Sequence, residues 1–586
     1  MTERQMLVIH WMLFTWVVIS GLMIARPAYG KEPGILPVSE AMKPLTDGPA
    51  VIPIQEDPHF RDVCLLDSEF GIAVGDQGAI WTTLDGGETW QWQRTGFSYT
   101  LTDVCFLTRK IGWIAAQGLH PYGQEGWGLI LHTRNGGATW EKLPQNQLPP
   151  LNAVQFFDLE RGIAIGEASS RYPSGVLVTT DGGQTWTARP GTTDKHWLAA
   201  HFFSPEDGIV AGMHGQIARA TADQFSPVSL NQFDLRSFKG ISASRTGKCW
   251  LVGEGGSLLC SSNLGQTWSV PAGKLPDKVP LIQDLHTVAQ VDTHVWVAGS
   301  PGSVIWHSPD DGQTWEPQYT GQSIPIEKLS FNNESHGCAV GALGSILLTR
   351  DGGRTWKNVR GENRHVALMQ VAMSKEQIDI PLLAQQSAER GYRALTYLPI
   401  REDIPRSFYR GEASSQLQAN TAVLTTHGSQ AITAWQFPIT SPDLEVDRSG
   451  LIQELNRWSD GNLDSVLIET LVGTLRTWRP EVIILPEASS GNEINILFQK
   501  AFHVAIKAAA DPTQYLEQQE TVGLKPWQVK RVFHQLDPGT GGDVQVDPFE
   551  LLPYKANDHR VFSFRITTDR TWRSRIDPSH PIRLHS

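Results

Sequence analysis

Between residues 57 and 361 the chain repeats one alternation of apolar and polar positions. Gly71-Ile72-Ala73-Val74-Gly75-Asp76-Gln77-Gly78-Ala79-Ile80 reads as a short apolar strand, a Gly-bounded tight turn and a second strand, which is a β-hairpin signature. The unit returns at residues 208–217, 249–258 and 337–346. A further alternating strand precedes it, as at residues 60–66 and 151–157, and another follows. Four strands in each repeat, at the spacing given below, is the arithmetic of a propeller blade, in which radial repetition hides the sheet edges.

Each hairpin leads into a box, Thr/Ser-x-Asp/Asn-x-Gly-x-Thr-Trp. Its acidic and aromatic positions are Asp85 and Trp90, Asn135 and Trp140, Asp181 and Trp186, Asn263 and Trp268, Asp310 and Trp315, Asp351 and Trp356. A decayed copy, Thr221-Ala222-Asp223, fills the one wide gap, so positions 85, 135, 181, 223, 263, 310 and 351 recur every 40 to 50 residues. Seven copies predict seven blades. An Asp or Asn beside Gly accepts hydrogen bonds from the N–H groups of its own turn. The Gly two residues later permits positive φ, and the Trp packs back under the turn. Seven boxes on seven separate blades cannot converge on one substrate, so they are read as structural.

The repeat accounts for an excess of 54 Gly and 21 Trp. With 49 Lys+Arg against 61 Asp+Glu, the net charge of −12 argues against nonspecific nucleic-acid binding, which needs a basic surface. Residues 6–24 form an apolar run after Arg4 and before Ala28-Tyr29-Gly30, the pattern of a signal peptide or a membrane anchor spanning residues 1–30. Residues 31–56 are a Pro-rich tether. Both readings export the chain to the periplasm, a lumen or the outer face of a membrane. Five Cys are too few for a disulfide scaffold. Oxidising surroundings and a turn centred on Glu254-Gly255 predict a disulfide between Cys249 and Cys260, with Cys64 and Cys105 a weaker pair and Cys338 a buried thiol.

The joined pattern Val-Gly-x-x-Gly-x-Ile-x-x-Thr-x-Asp-Gly-Gly-x-Thr-Trp resembles the Asp-box repeat of the photosystem II stability and assembly factors. The resemblance covers about residues 58–360. It implies an exported seven-bladed propeller that acts as an assembly scaffold.

After Trp356 the boxes stop. Strands at residues 366–372, 394–398 and 482–485 alternate with helices at 381–390, 465–477 and 498–510, so residues 362–586 read as an α/β domain with a mostly parallel sheet. The order of these pieces resembles the LmbE-like zinc deacetylases over about residues 364–512. At the places of that family's metal motifs stand Met373, Lys375 and Glu376, then Asn492 and Asn495. Met, Lys and Asn are poor zinc ligands, so the resemblance implies the fold without the metal. Asp537-Pro538-Gly539-Thr540-Gly541-Gly542-Asp543 lacks the Gly-Lys-Ser/Thr ending of a phosphate loop. His427, His503 and His534 lack metal spacing, and Glu376, Glu469 and Glu487 are not paired by sequence.

The reading for the whole chain is an exported, non-catalytic propeller scaffold without metal or cofactor. Its partner is a protein or peptide, with a membrane complex a candidate, and not nucleic acid. The competing class is a carbohydrate-active enzyme, either a sialidase-like glycosidase or an amino-sugar deacetylase. No arginine-triad motif for the former is visible.

Overall fold

The computed structural model describes residues 57–536, except 121–124, 145–147, 223, 229, 231–234, 245, 403–412, 440–449 and 488–492, together with the strands Val544–Val546 and Ile582–His585. The leader, the tether, Asp223, Asn492 and the loop 537–543 lie outside the described residues.

Seven antiparallel sheets follow one another along the chain, each built from consecutive strands a to d. In blade 1 these are Phe60–Leu65, Gly71–Gly75, Ile80–Thr83 and Gln91–Gln93. Blade 5 has three strands, its strand d reduced to one bridge between Cys260 and Ser269. Strand b reads as continuously apolar because both of its faces are covered. In blade 1, Ile72 and Val74 pack with Leu101 and Ile114 of blade 2, while Ala73 packs with Cys338 and Val340 of blade 7.

The a strands pack side by side around a central channel. Each carries a one-residue bulge near its start, which leaves Arg61, Thr102, Asn152, Leu198, Lys239, His286 and Glu327 without a register partner on strand b. A bulge re-aims the extra side chain, and here all seven line one cavity. It also explains the Gly that ends strand b. A Cβ on Gly75 would lie 2.3 Å from the His59 carbonyl, and one on Gly341 1.9 Å from that of Pro325.

Among the described residues no strand is shared between the first and last blades. The ring closes through single hydrogen bonds and ion pairs: Gly344 N–H donates to Pro58 O at 2.6 Å, Leu65 N–H donates to Ser330 Oγ at 3.0 Å, and Lys328 reaches Asp62 at 3.0 Å. Arg350 donates to the Asp85 and Gly86 carbonyls, and Lys357 pairs with Glu88 at 2.8 Å.

The α/β domain comprises β1 (Leu368–Val371), α1 (Ile380–Ala384), β2 (Ala394–Leu398), α2 (Ser415–Thr425), β3 (Gln430–Thr433), α3 (Leu451–Trp458), α4 (Leu463–Trp478), β4 (Val482–Leu485), α5 (Glu493–Ala510), α6 (Leu516–Glu520), β5 (Arg531–Leu536), β6 (Val544–Val546) and β7 (Ile582–His585). The sheet order is β3-β2-β1-β4-β5-β7-β6. The first five strands are parallel, and β7 runs antiparallel to both β5 and β6. Two apolar clusters cover its two faces, one with α4 and α5, the other with α1 and α2. The expected helix at residues 381–390 is α1 followed by a π turn, Gln385–Glu389.

Candidate functional site

Three places could carry function: the rim of boxes, the channel mouth, and the carboxyl end of the parallel sheet.

In the first box, Asp85 Oδ1 accepts from Thr83 Oγ1 at 2.8 Å and from Thr89 N–H at 2.9 Å, and Oδ2 accepts from Thr89 Oγ1 at 2.6 Å. Asp181, Asp310 and Asp351 repeat the set. Asn135 and Asn263 close the same loop with one polarity reversed, since their amide donates to the Thr139 or Thr267 hydroxyl at 2.8 or 2.9 Å. Burial alone would raise the Asp181 carboxyl, but the Thr185 hydroxyl and N–H hold it below its ordinary value. For Asp310 the Thr314 hydroxyl leads, and the carboxyl falls to about 2. The four acids are thus saturated by their own turns.

Trp186 is buried and donates to Gly183 O at 3.0 Å, and Trp90 to Gly87 O at 3.1 Å. Trp90, Trp140, Trp268, Trp315 and Trp356 are half-buried. At the decayed copy, Thr221 N–H and Oγ1 both donate to Gln224 O.

A second role of the box is invisible in the sequence, because it uses backbone. The box carbonyl receives a donor from the blade before it: Trp113 Nε1 to Gly182 O at 3.0 Å, Trp296 Nε1 to Gly352 O at 3.0 Å, Lys248 to Asp311 O at 3.0 Å. His336 Nε2 lies 2.8 Å from Gly86 O at the closing seam.

At the opposite end of the channel, a cavity of about 480 Å³ lies between the bulge ring and the α/β domain. The ring carries ionisable side chains over blades 5, 6, 7 and 1 and none over blades 2, 3 and 4. Arg61 grips Asp76 in a fork at 3.1 and 2.9 Å. Burial would raise Glu327, but His286 at 3.0 Å and His59 at 3.4 Å hold it well below the usual carboxylate range. Lys239 lies 3.5 Å from Glu254, which also receives Arg401 of the α/β domain at 3.0 Å. Glu167 of blade 3 accepts from Ser414 N–H, at the amino end of α2, at 3.4 Å. Burial pushes its carboxyl up to about 7 against the pull of Ser414.

The expected disulfide is corrected by the register. Cys249 pairs with Ser261, and Trp250 with Cys260. The loop has three residues, Glu254-Gly255-Gly256, with both glycines at positive φ, so the hairpin is shifted by one and the two thiols point to opposite faces. All five cysteines are free.

In the α/β domain the strand order reverses between β1 and β4, and a crevice at that switch point is the usual ligand position of such sheets. Met373, Lys375 and Glu376 follow β1, Glu487 follows β4, and Asn495 lies in the first turn of α5. Lys375 donates to Gln418 of α2 at 2.8 Å, and Asn495 to Glu487 O at 3.2 Å. Glu469 lies instead on α4 and lines the cavity. His503 and His534 are tilted neighbours, and His427 sits in a left-handed turn after α2. Among the described residues no group of three or more His, Cys, Asp or Glu is placed to hold a metal ion, and no helix is long and apolar enough to cross a membrane.

Fold and repeats together define a seven-bladed propeller carrying an α/β domain over one mouth of its channel. The propeller is photosystem II stability and assembly factor-like. The family described as photosynthesis system II assembly factor YCF48 matches residues 49–232. The photosystem II stability/assembly factor HCF136 (chloroplastic) of Cyanidioschyzon merolae (strain NIES-3377 / 10D) is 23% identical over 376 residues, covering 56% of this chain and 80% of that protein. The photosystem II assembly protein Ycf48 of Synechococcus sp. (strain JA-3-3Ab) is 28% identical over 115 residues, 19% of this chain, and the match spans about a third (34%) of that relative. Among solved structures, YCF48 from Cyanidioschyzon merolae is 20% identical with a TM-score of 0.42, covering 51% of this chain and 97% of that one. YCF48 bound to D1 peptide is 20% identical with a TM-score of 0.41, covering 50% and 92%.

Proposed function

We propose that this chain is an exported, non-catalytic scaffold whose propeller binds a protein or peptide partner during assembly of a membrane complex; its relatives are named as photosystem II assembly or stability/assembly factors. The carrying observation is the match of residues 49–232 to the assembly-factor family. The box geometry supports it, because the repeated carboxylates bind their own turns and leave no convergent acid pair. The leader at residues 1–30 takes the chain across a membrane, and the boxes are structural. The α/β domain works without metal, since Met373, Lys375 and Asn495 are poor donors.

The test is isolation of the tagged full-length chain from its native membranes after mild cross-linking. Specific recovery of subunits of one membrane complex, lost when the propeller is deleted, is expected. Recovery of the chain alone, or retention in the cytoplasm with residues 1–30 in place, overturns the reading.

A further inference from the structure

The seam between propeller and α/β domain has two chemically different halves. Around blades 6 and 7, and where blade 5 packs on blade 6, it is apolar. Ile324, Ala342 and Leu343 of the propeller join the main core of the α/β domain, and Val522 and Leu524 insert among Trp250, Val252 and Leu285. The chain itself crosses here, from the last strand of blade 7 (Lys357–Arg360) to β1. Arg364 and Arg393 both hold Asp57, at the entrance to blade 1, and Ser323 Oγ donates to Thr477 O at 2.8 Å.

Over blades 1 and 3, and at the Glu254 turn of blade 5, the contacts are mainly single polar side chains. Gln77 Nε2 donates to Leu424 O at 2.7 Å, Ser414 N–H to Glu167, and Arg401 to Glu254, Leu235 O and Ser237 Oγ. Beneath these contacts lies the 480 Å³ cavity over the bulge ring. Once the seam parts, water can take over these hydrogen bonds, whereas parting the apolar half exposes fully buried apolar side chains that water does not compensate. Inter-domain contacts that are not large and apolar are the ones that move.

We propose that the α/β domain is a hinged lid on the channel mouth, anchored at blades 6 and 7 and latched by Arg401, Gln77 and the amino end of α2. Opening turns the lid about the apolar anchor and presents the bulge ring to solvent. The lid belongs to the chain itself, so its test needs no partner and is independent of the scaffold reading.

The experiment is hydroxyl-radical footprinting of the full-length protein, comparing Arg401→Ala with the parent. Met213, Leu417 and Leu424 line the cavity under the latch, whereas Leu343, Val522 and Leu524 report the anchor. Oxidation of the first three is expected to rise several-fold while the second three stay protected. A rise of all six together would show a detached domain, and no rise at all a rigid one; either sinks the hinge. Should Arg401→Ala fail to fold, Gln77→Ala removes a bond at a turn instead, and the same six side chains decide.

Discussion

Gln77 and Leu343 occupy the same position in the hairpin turns of blades 1 and 7, and both hold left-handed backbone, at φ 58° and 53°. The turn geometry is shared; the side chain decides what it touches. Gln77 donates to Leu424 O, while Leu343 is buried in the α/β core. Replacing Leu343 by Ala should cost about 2–5 kcal/mol, as for other buried leucines. Replacing Gln77 by Ala should cost about 1 kcal/mol, the net worth of one hydrogen bond. Denaturant unfolding of the two variants measures the difference, and equal costs would show that Leu343 is not part of that core.

The boxes give a graded series. Trp186→Ala removes a buried aromatic and should cost about 3–5 kcal/mol. Asp181→Ala should cost around 1 kcal/mol through lost turn bonds. Asp181→Asn should be close to neutral, because Asn135 and Asn263 close the same loop with an amide. Thermal unfolding ranks the three, and an Asn variant as damaged as the Ala variant would contradict the shared geometry.

Glu167 makes stability depend on pH. Its folded value, about 7, lies above the ordinary 4.5, so the folded state binds the proton more tightly. The stabilisation is therefore fully present below about pH 4.5 and is lost as pH rises to about 7, a loss of roughly 3 kcal/mol over that window. His196, 3.7 Å away on blade 4, is the ionisable neighbour, and the amino end of α2 faces the carboxyl from the other side. Since both remain in Glu167→Gln, the difference between the two stability–pH curves isolates Glu167. Parallel curves from pH 4.5 to 7 would remove it as the source.

Alkylation in denaturant without reductant should give five adducts, one for each free cysteine. In the native protein Cys249 should react slowly, as burial pushes its thiol up to about 11. Three adducts would mean that a disulfide forms despite the register.

The purified full-length chain should hold far less than stoichiometric zinc and release no acetate from N-acetylglucosamine conjugates. At the positions where the sequence resemblance would put zinc donors stand Met, Lys and Asn, which are poor ligands for a catalytic zinc. Stoichiometric zinc with chelator-sensitive acetate release would contradict the metal-free reading.

The blades and the boxes were legible because each is local: an apolar hairpin, a Gly turn and a Trp within some forty residues. The Cys249–Cys260 pairing failed by one residue, since Gly255-Gly256 allows a three-residue loop as easily as a two-residue one. The ring of bulges left no trace, because Arg61, Thr102, Leu198 and Glu327 share a backbone position and no residue type. Helix α2 was missed for a physical reason. One side packs on an apolar cluster and the other faces a polar cavity lined by Gln416 and Asn420, so its sequence lacks a clear apolar stripe.

Because no sheet among the described residues straddles the two ends of the ring, synthesis imposes an order of events. Blade 1 can complete its ladders once Gln93 has been made, and each later blade can do so from its own forty or so residues. Its box carbonyls at Asp85 and Gly86, however, wait for His336 and Arg350, and Glu88 waits for Lys357. The first blade therefore spends the whole translation of the other six as an unfinished edge. It is there, rather than at any later blade, that a chaperone or a premature partner would find the nascent chain open.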